Sequence, residues 1–309
     1  MNKILKSGLA AIAVIVLGGR PAWAKLKVCA SLPDLADIAQ VVGGDQVDVV
    51  SLTNGAQDPH FVPAKPSLMR AVRDADVYVA VGLELEVGWL PVVLQGSRNP
   101  KIQPGAPGFV DASQGVEVLE KPTGTVDRAE GDVHPMGNPH FYTDPENLKV
   151  VADQLAGKFS ELDPAHAEAF RANAKEFDGR IDKAMEGWEA KLAPFKGRGV
   201  VTYHKNLIYF TKRFGLTDFG YVENRPGIPP SARHLAELAQ KMREAKVGVV
   251  LYQPYHDAED CQRLAKEAGG TALLFPTEAG GVAAVTDIFS HFDYMVDSLA
   301  KALAENNGN

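Results

Sequence analysis

From residue 25 onward the chain alternates short apolar runs with stretches in which apolar residues recur every three or four positions. Runs at 26–30, 47–52, 77–81 and 108–111 predict strands, and the stretches at 35–42, 65–73 and 84–94 predict helices between them. The alternation returns later, with strands expected at 199–203, 247–252 and 271–275. Helices are expected there at 207–214, 232–245, 257–268 and 287–305. Strands alternating with helices build parallel sheets covered on both faces. The pattern predicts an α/β protein of two lobes, each a mainly parallel sheet flanked by helices.

One long helix is expected between the lobes. Asp163 suits an N-cap and Pro164 the first helical position. Phe170, Ala174, Phe177, Ile181, Met185, Trp188 and Leu192 follow at steps of three and four, and the run stops before Pro194. At 1.5 Å per residue, about 29 residues make a rod of roughly 43 Å, which can lie along both lobes. The expected division is a signal segment at 1–24, an N-terminal lobe at 25–162, the linking helix at 163–193 and a C-terminal lobe at 194–309. Residues 120–138, rich in Gly, Pro and charge, read as a mobile loop.

In the leading segment, Lys3 and Lys6 precede an apolar core at 9–17, and Ala22-Trp23-Ala24 offers small residues where a signal peptidase reads. That core is about half of the ~20 residues needed to span a bilayer. With no Arg-Arg pair and no Cys after the core, it reads as a cleaved secretory signal rather than a lipoprotein anchor. The mature chain is then expected to start at Lys25, free in a bacterial periplasm. Losing Lys3, Lys6 and Arg20 takes the net charge from −7 to −10, which leaves no footprint for nucleic acid or an anionic membrane. A chain of 309 residues also exceeds what one core usually serves. Cys29 and Cys261 read as two buried free thiols, since a disulfide would join what look like different domains.

The eight histidines do not fall evenly. His60, in Asp58-Pro59-His60, follows the predicted strand at 47–52. His140 lies in Asn138-Pro139-His140, and His204 ends the strand at 199–203. Ligands of open α/β sheets bind beyond the carboxyl ends of strands, and Pro before two of the rings stiffens their backbone. Three such positions from both lobes point to a shared metal site. A fourth ligand is expected after the last strand, where Glu278 has the right location and chemistry, ahead of Asp287, Asp257 and Asp293. Three imidazoles and a carboxylate suit a divalent transition metal, with tetrahedral Zn²⁺ first and Mn²⁺ second. His134, in the loop before His140, is a candidate for transient metal capture. His166 and His234 read as solvated, His256 as a cap or surface residue, and His291 as a packing or surface position.

Several motifs resemble one family. They are Asp58-Pro59-His60, Gly82-Leu83-Glu84-Leu85-Glu86 with Trp89, Asn138-Pro139-His140 with Asp144-Pro145, and Tyr203-His204 with Tyr209-Phe210. Pro226-Gly227-Ile228-Pro229-Pro230-Ser231 precedes a helix in the same way. Together they make the mature chain similar to the substrate-binding proteins of metal ABC importers, in the zinc- and manganese-specific branch. The resemblance implies two lobes joined by a rigid helix, a metal in the interlobe cleft, and ligands at His60, His140 and His204. The family's fourth ligand, usually Asp, falls near Glu278. His at the position of His204 goes with zinc in that family, and a carboxylate there with manganese. The implied partner is an inner-membrane permease with its ATPase, with room for a periplasmic metallochaperone, and the chain is expected to act as a monomer and not as an enzyme. The competing reading is a periplasmic zinc hydrolase with three His ligands and Glu278 as general base; no Ser-His or Cys-His nucleophile pattern accompanies it.

Overall fold

The computed structural model describes residues 24–124, 131 and 133–306; the expected signal segment lies outside these but for Ala24, as does part of the 120–138 loop. The N-terminal lobe runs β1 (Leu26–Ala30), α1 (Pro33–Gly43), β2 (Val47–Ser51), α2 (Pro66–Ala71), β3 (Val77–Ala80), α3 (Leu90–Ser97) and β4 (Phe109–Asp111). Two helices follow, α4 (Pro145–Leu162) and α5 (Ala167–Leu192). The C-terminal lobe runs β5 (Gly199–Thr202), α6 (Ile208–Phe214), β6 (Thr217–Tyr221), α7 (Ala232–Ala245), β7 (Val249–Tyr252), α8 (Ala258–Ala268), β8 (Thr271–Leu274) and α9 (Ile288–Glu305).

Both sheets are parallel and share one topology, β2-β1-β3-β4 and β6-β5-β7-β8. In each, the chain leaves its first strand to one side and crosses back to the other, so connections diverge at β1/β3 and at β5/β7. Such switch points open a crevice at the carboxyl edge of a sheet. Apolar β-branched residues face each other across the inner strands, with Val28 opposite Val49 and Val77, as sheets covered on both faces require.

Four local features differ from the pattern reading. The linking helix begins at Ala167, after a 3₁₀ turn at Pro164–His166, and the Asp163 side chain pairs with the His166 ring instead of capping it. α4 was not expected, yet Asp144 caps it by accepting the Glu146 N–H at 3.0 Å and Pro145 starts it. Leu148, Val151, Ala152, Leu155 and Phe159 form its buried stripe. β6 was also missed; it is an edge strand whose Asp218 and Gly220 carry weak strand preference. The helix expected from 84 begins only at Leu90, because Leu83 and Glu84 adopt positive φ (53° and 66°). There the buried Glu86 carboxylate turns back to accept the N–H groups of Val81 and Gly82 at 2.6 and 3.3 Å. This satisfies the end of β3 in place of a helix.

The lobes do not have separate cores. One continuous apolar cluster takes in Val28, Val79 and Val110 of the first sheet and Val200, Val249 and Leu251 of the second. The whole buried stripe of α5, from Phe170 to Leu192, belongs to it. α5 packs on α1 and α4 on one side and on α9 on the other. Polar contacts pin it at both ends: Asn173 donates to the Val42 carbonyl at 3.0 Å, and the Trp188 indole donates to Asp293 at 2.7 Å. At 1.5 Å per residue its 26 residues span about 39 Å. Cys29 and Cys261 are buried free thiols in two separate outer clusters. Among the described residues, no helix is long and apolar enough to cross a membrane.

A core shared between lobes predicts cooperative unfolding. Phe177→Ala, at a site 1% exposed, is expected to cost about 3–5 kcal/mol. Denaturant unfolding followed by circular dichroism and by tryptophan fluorescence should shift as one transition. Two separated transitions, with only one of them moved, would show that the lobes fold independently.

Candidate metal centre

Two histidines are held by the same three-residue device. Asp58 Oδ1 accepts the backbone N–H of His60 at 2.9 Å and lies 2.9 Å from its ring Nδ1. Asn138 Oδ1 does the same for His140, at 3.0 and 2.9 Å. The proline between each pair has a fixed φ and no N–H to compete for that oxygen. His204, just past β5, receives its acceptor from farther away: Glu223, beyond β6, places Oε2 2.9 Å from Nδ1 and is itself steadied by the Gly227 N–H at 3.1 Å.

An oxygen acceptor at Nδ1 puts the ring proton there and leaves the lone pair on Nε2. The three rings meet with centroids 5.2, 5.2 and 5.3 Å apart, a nearly equilateral triangle. One ligand atom from each of His60, His140 and His204 lies within 4.8 Å of the other two. The Nε2 atoms of His60 and His140 are buried with no hydrogen-bond partner. Burial holds the His140 pKa well below the usual imidazole range, and the neighbouring His60, His204 and His134 push it the same way. His140 is therefore built to stay unprotonated, which is the state that donates to a metal.

Glu278 lies on the loop after β8, outside the group of atoms within 4.8 Å. Its side chain is fully buried and neither carboxylate oxygen has a hydrogen-bond partner. Burial drives its pKa well up; Asp34 and Asp58 add to this and the Tyr142 hydroxyl opposes it. The three weaker candidates have other work. Asp287 caps α9, accepting the Ser290 N–H at 2.8 Å. Asp257 caps α8 through Glu259 and Asp260, and Asp293 accepts from Trp188.

Of the remaining histidines, His166 pairs with Asp163 at 2.6 Å and His234 faces the Tyr221 carbonyl at 2.9 Å. His134 comes to the cluster, its ring 5.4 Å from His60 and 6.2 Å from His140. His256 is neither a cap nor a surface residue. It stacks on Tyr203 at 3.9 Å and, with His60, His204 and Tyr255, lines a cavity of about 190 Å³. A second cavity of about 230 Å³ lies beside His134, His140 and His204. Both are smaller than the ~300–1,000 Å³ typical of organic ligand sites. Asp58, Asn138 and Glu223 escaped the sequence reading as holders of rings; an acidic or amide residue two before His was the available signal for the first two.

The hydrogen bonds predict ring tautomers. Nitrogen-15 spectra of the metal-free protein should show Nδ1–H for His60, His140 and His204. His256, whose Nδ1 accepts the Gln253 N–H at 3.3 Å, should show Nε2–H; an Nε2–H form at any of the three clustered rings would undo the convergence argument. Burial, with His204 and His60 adding and Asp58 opposing, lowers the His256 pKa to about 3. Between that value and the free-histidine value near ~6.5 the unfolded chain binds the extra proton, so this group's contribution to stability falls as pH drops through the window. His256→Phe, which keeps the stack on Tyr203, should flatten the decline of melting temperature between pH 6.5 and 4.

The sequence pattern of the family described as "Zinc-uptake complex component A periplasmic" matches residues 28–302. The manganese ABC transporter substrate-binding lipoprotein PsaA of Streptococcus pneumoniae is 24% identical over 289 residues, covering 91% of this chain and 90% of that protein. The zinc-binding lipoprotein AdcA of the same species is 23% identical over 283 residues, 90% of this chain and 55% of that protein. A solved structure of a ZnuA 138–173 deletion mutant with zinc bound aligns with a TM-score of 0.76 at 24% identity, covering 90% of this chain and 98% of that one. Two parallel sheets joined through a long helix, and a sequence match across nearly the whole described chain, place this protein in the ZnuA family of periplasmic metal-uptake components.

Proposed function

We propose that this protein captures one Zn²⁺ per chain outside the cytoplasm and delivers it to an ABC permease. The observation that carries the reading is the convergence of three buried imidazoles, each with an acceptor behind Nδ1. Three borderline nitrogen donors suit zinc better than manganese, which favours oxygen ligands. Glu278, a buried carboxylate without a partner, supplies the fourth ligand and gains a cation in return. Export by the segment at 1–24 delivers the chain to the periplasm as a monomer. Because His60 and His140 come from the N-terminal side and His204 and Glu278 from the C-terminal lobe, the ion ties the lobes together. With a shared core beneath, release proceeds by loosening ligand loops rather than by wide hinge opening. No bound water nucleophile is required in this reading, and the protein acts as a carrier rather than an enzyme.

Manganese is the second reading, favoured by the likeness to PsaA, a manganese ABC transporter substrate-binding lipoprotein. Zinc and manganese offered in competition and counted by elemental analysis separate the two: zinc is expected to fill the site at one per chain. His204→Ala should weaken zinc binding by orders of magnitude, while His234→Ala should leave it unchanged. Equal losses from both variants, or preferential manganese retention, would overturn the assignment.

A further inference from the structure

The loop carrying Glu278 is gripped from three directions, two of them in the other lobe. Asp34, in the first turn of α1, is fully buried, and its Oδ1 accepts the backbone N–H of Ala279 at 2.8 Å, 245 residues away in sequence. Its Oδ2 lies 3.1 Å from Nδ1 of His291 on α9, an ion-pair distance outside hydrogen-bond geometry. His291 is also fully buried, and its Nε2 meets the Pro276 carbonyl at 3.0 Å. The third contact is Gly55, in the loop that carries His60. A Cβ there would stand 2.1 Å from the Ala279 carbonyl oxygen and 2.4 Å from the Gly281 nitrogen, so only glycine permits this approach.

Asp34 sits in the first turn of α1, where the helix dipole favours a carboxylate, yet the hydrogen bond of its Oδ1 goes to the Ala279 loop, and a buried carboxylate is costly to keep for stability alone. What these contacts share is the backbone on either side of Glu278. The Gly281 N–H closes the turn onto the Glu278 carbonyl at 3.2 Å. With that backbone fixed, the carboxylate can travel only by rotating its own side-chain bonds.

We propose that Asp34 and His291 are positioning residues for Glu278, setting from the N-terminal lobe and from α9 how far its carboxylate reaches towards the three imidazoles. The inference rests on Glu278 as the fourth ligand. It makes the strength of the last metal bond depend on a contact between lobes rather than on the C-terminal lobe alone.

The test uses the full mature chain, with zinc affinity measured by chelator competition and the ligand shell counted by X-ray absorption. Asp34→Ala is expected to weaken zinc about 10–100-fold, the usual effect of removing a group that orients a ligand. The shell should keep three nitrogens and lose or lengthen its carboxylate oxygen. Asp34→Asn, which still offers Ala279 an acceptor, should recover most of the loss. In a Glu278→Gln background Asp34→Ala should cost little more, because both act on one bond. Wild-type affinity in Asp34→Ala, or a loss that adds in full to that of Glu278→Gln, would overturn the proposal. If Asp34→Ala does not fold, His291→Gln, which retains a donor for Pro276, takes its place under the same expectations; failure of both to fold would assign the pair to stability instead. Unchanged affinity in Glu278→Gln beside a large loss in His204→Ala would remove the fourth ligand, and this inference with it, while leaving the histidine triad intact.

Discussion

Three imidazoles can share one buried point only if none of them carries a proton on the inward nitrogen. A ring with its proton on the wrong side, or a charged ring beside two others, would break the cluster electrostatically before any ion arrived. The oxygen atoms of Asp58, Asn138 and Glu223 guard against the first of these by placing the ring proton on the outward nitrogen. Much of the surrounding structure serves those oxygens. The Pro59 carbonyl is held by the Trp89 indole at 2.8 Å, and the Asn138 carbonyl by the Tyr209 hydroxyl at 2.7 Å. The Asn138 amide also donates to the Lys205 carbonyl at 2.8 Å, so the His140 segment is fastened to the residue that follows His204.

Beneath the cluster lies a platform that does not divide. The stripe of α5 is buried partly by α1 and α4 and partly by α9, and the apolar contacts are continuous from one sheet to the other. Packed cores resist gradual deformation, so relative motion of the sheets is small unless that interior is disrupted. The freedom that remains lies beyond the strand ends, in the loops that carry the three histidines and in the side-chain bonds of Glu278. A rigid base with movable ligand loops suits a protein that must hold an ion firmly and still surrender it.

The sequence made some of this legible for physical reasons. α5 announced itself through seven apolar residues at helical spacing that stop before Pro194, although its first turn starts at Ala167 and not behind Asp163. His60 and His140 stood out by their place beyond predicted strands and the proline before each, while the oxygens that orient them, only two positions away, went unread. α4 carried comparable signals in Asp144, Pro145 and its buried stripe, but Gly157 and several charges diluted the pattern. The edge strand β6 had little apolar content to detect. His256 was misread, and His291, rightly read as a packing position, gave no hint of its partner, because their environments come from contacts far off in the chain. Tyr203 lies under the first, and Asp34, from the opposite end of the sequence, faces the second. Spacing along a chain reveals local devices well; it is silent about groups that meet only after folding.

The placement of α9 has a consequence for biogenesis. This helix, Ile288–Glu305, is the last element among the described residues, and it covers part of the α5 stripe, with Phe292 against Trp188 at 5.3 Å and Phe289 against Phe177 at 6.0 Å. A chain emerging from its N-terminus therefore leaves part of the apolar stripe on its central helix bare until α9, about a hundred residues later, has been made. Partially folded intermediates with such exposed surface are prone to aggregate. The interval between the making of α5 and of α9 is the vulnerable one, and loss of α9 would be more damaging than its distance from the proposed metal site suggests.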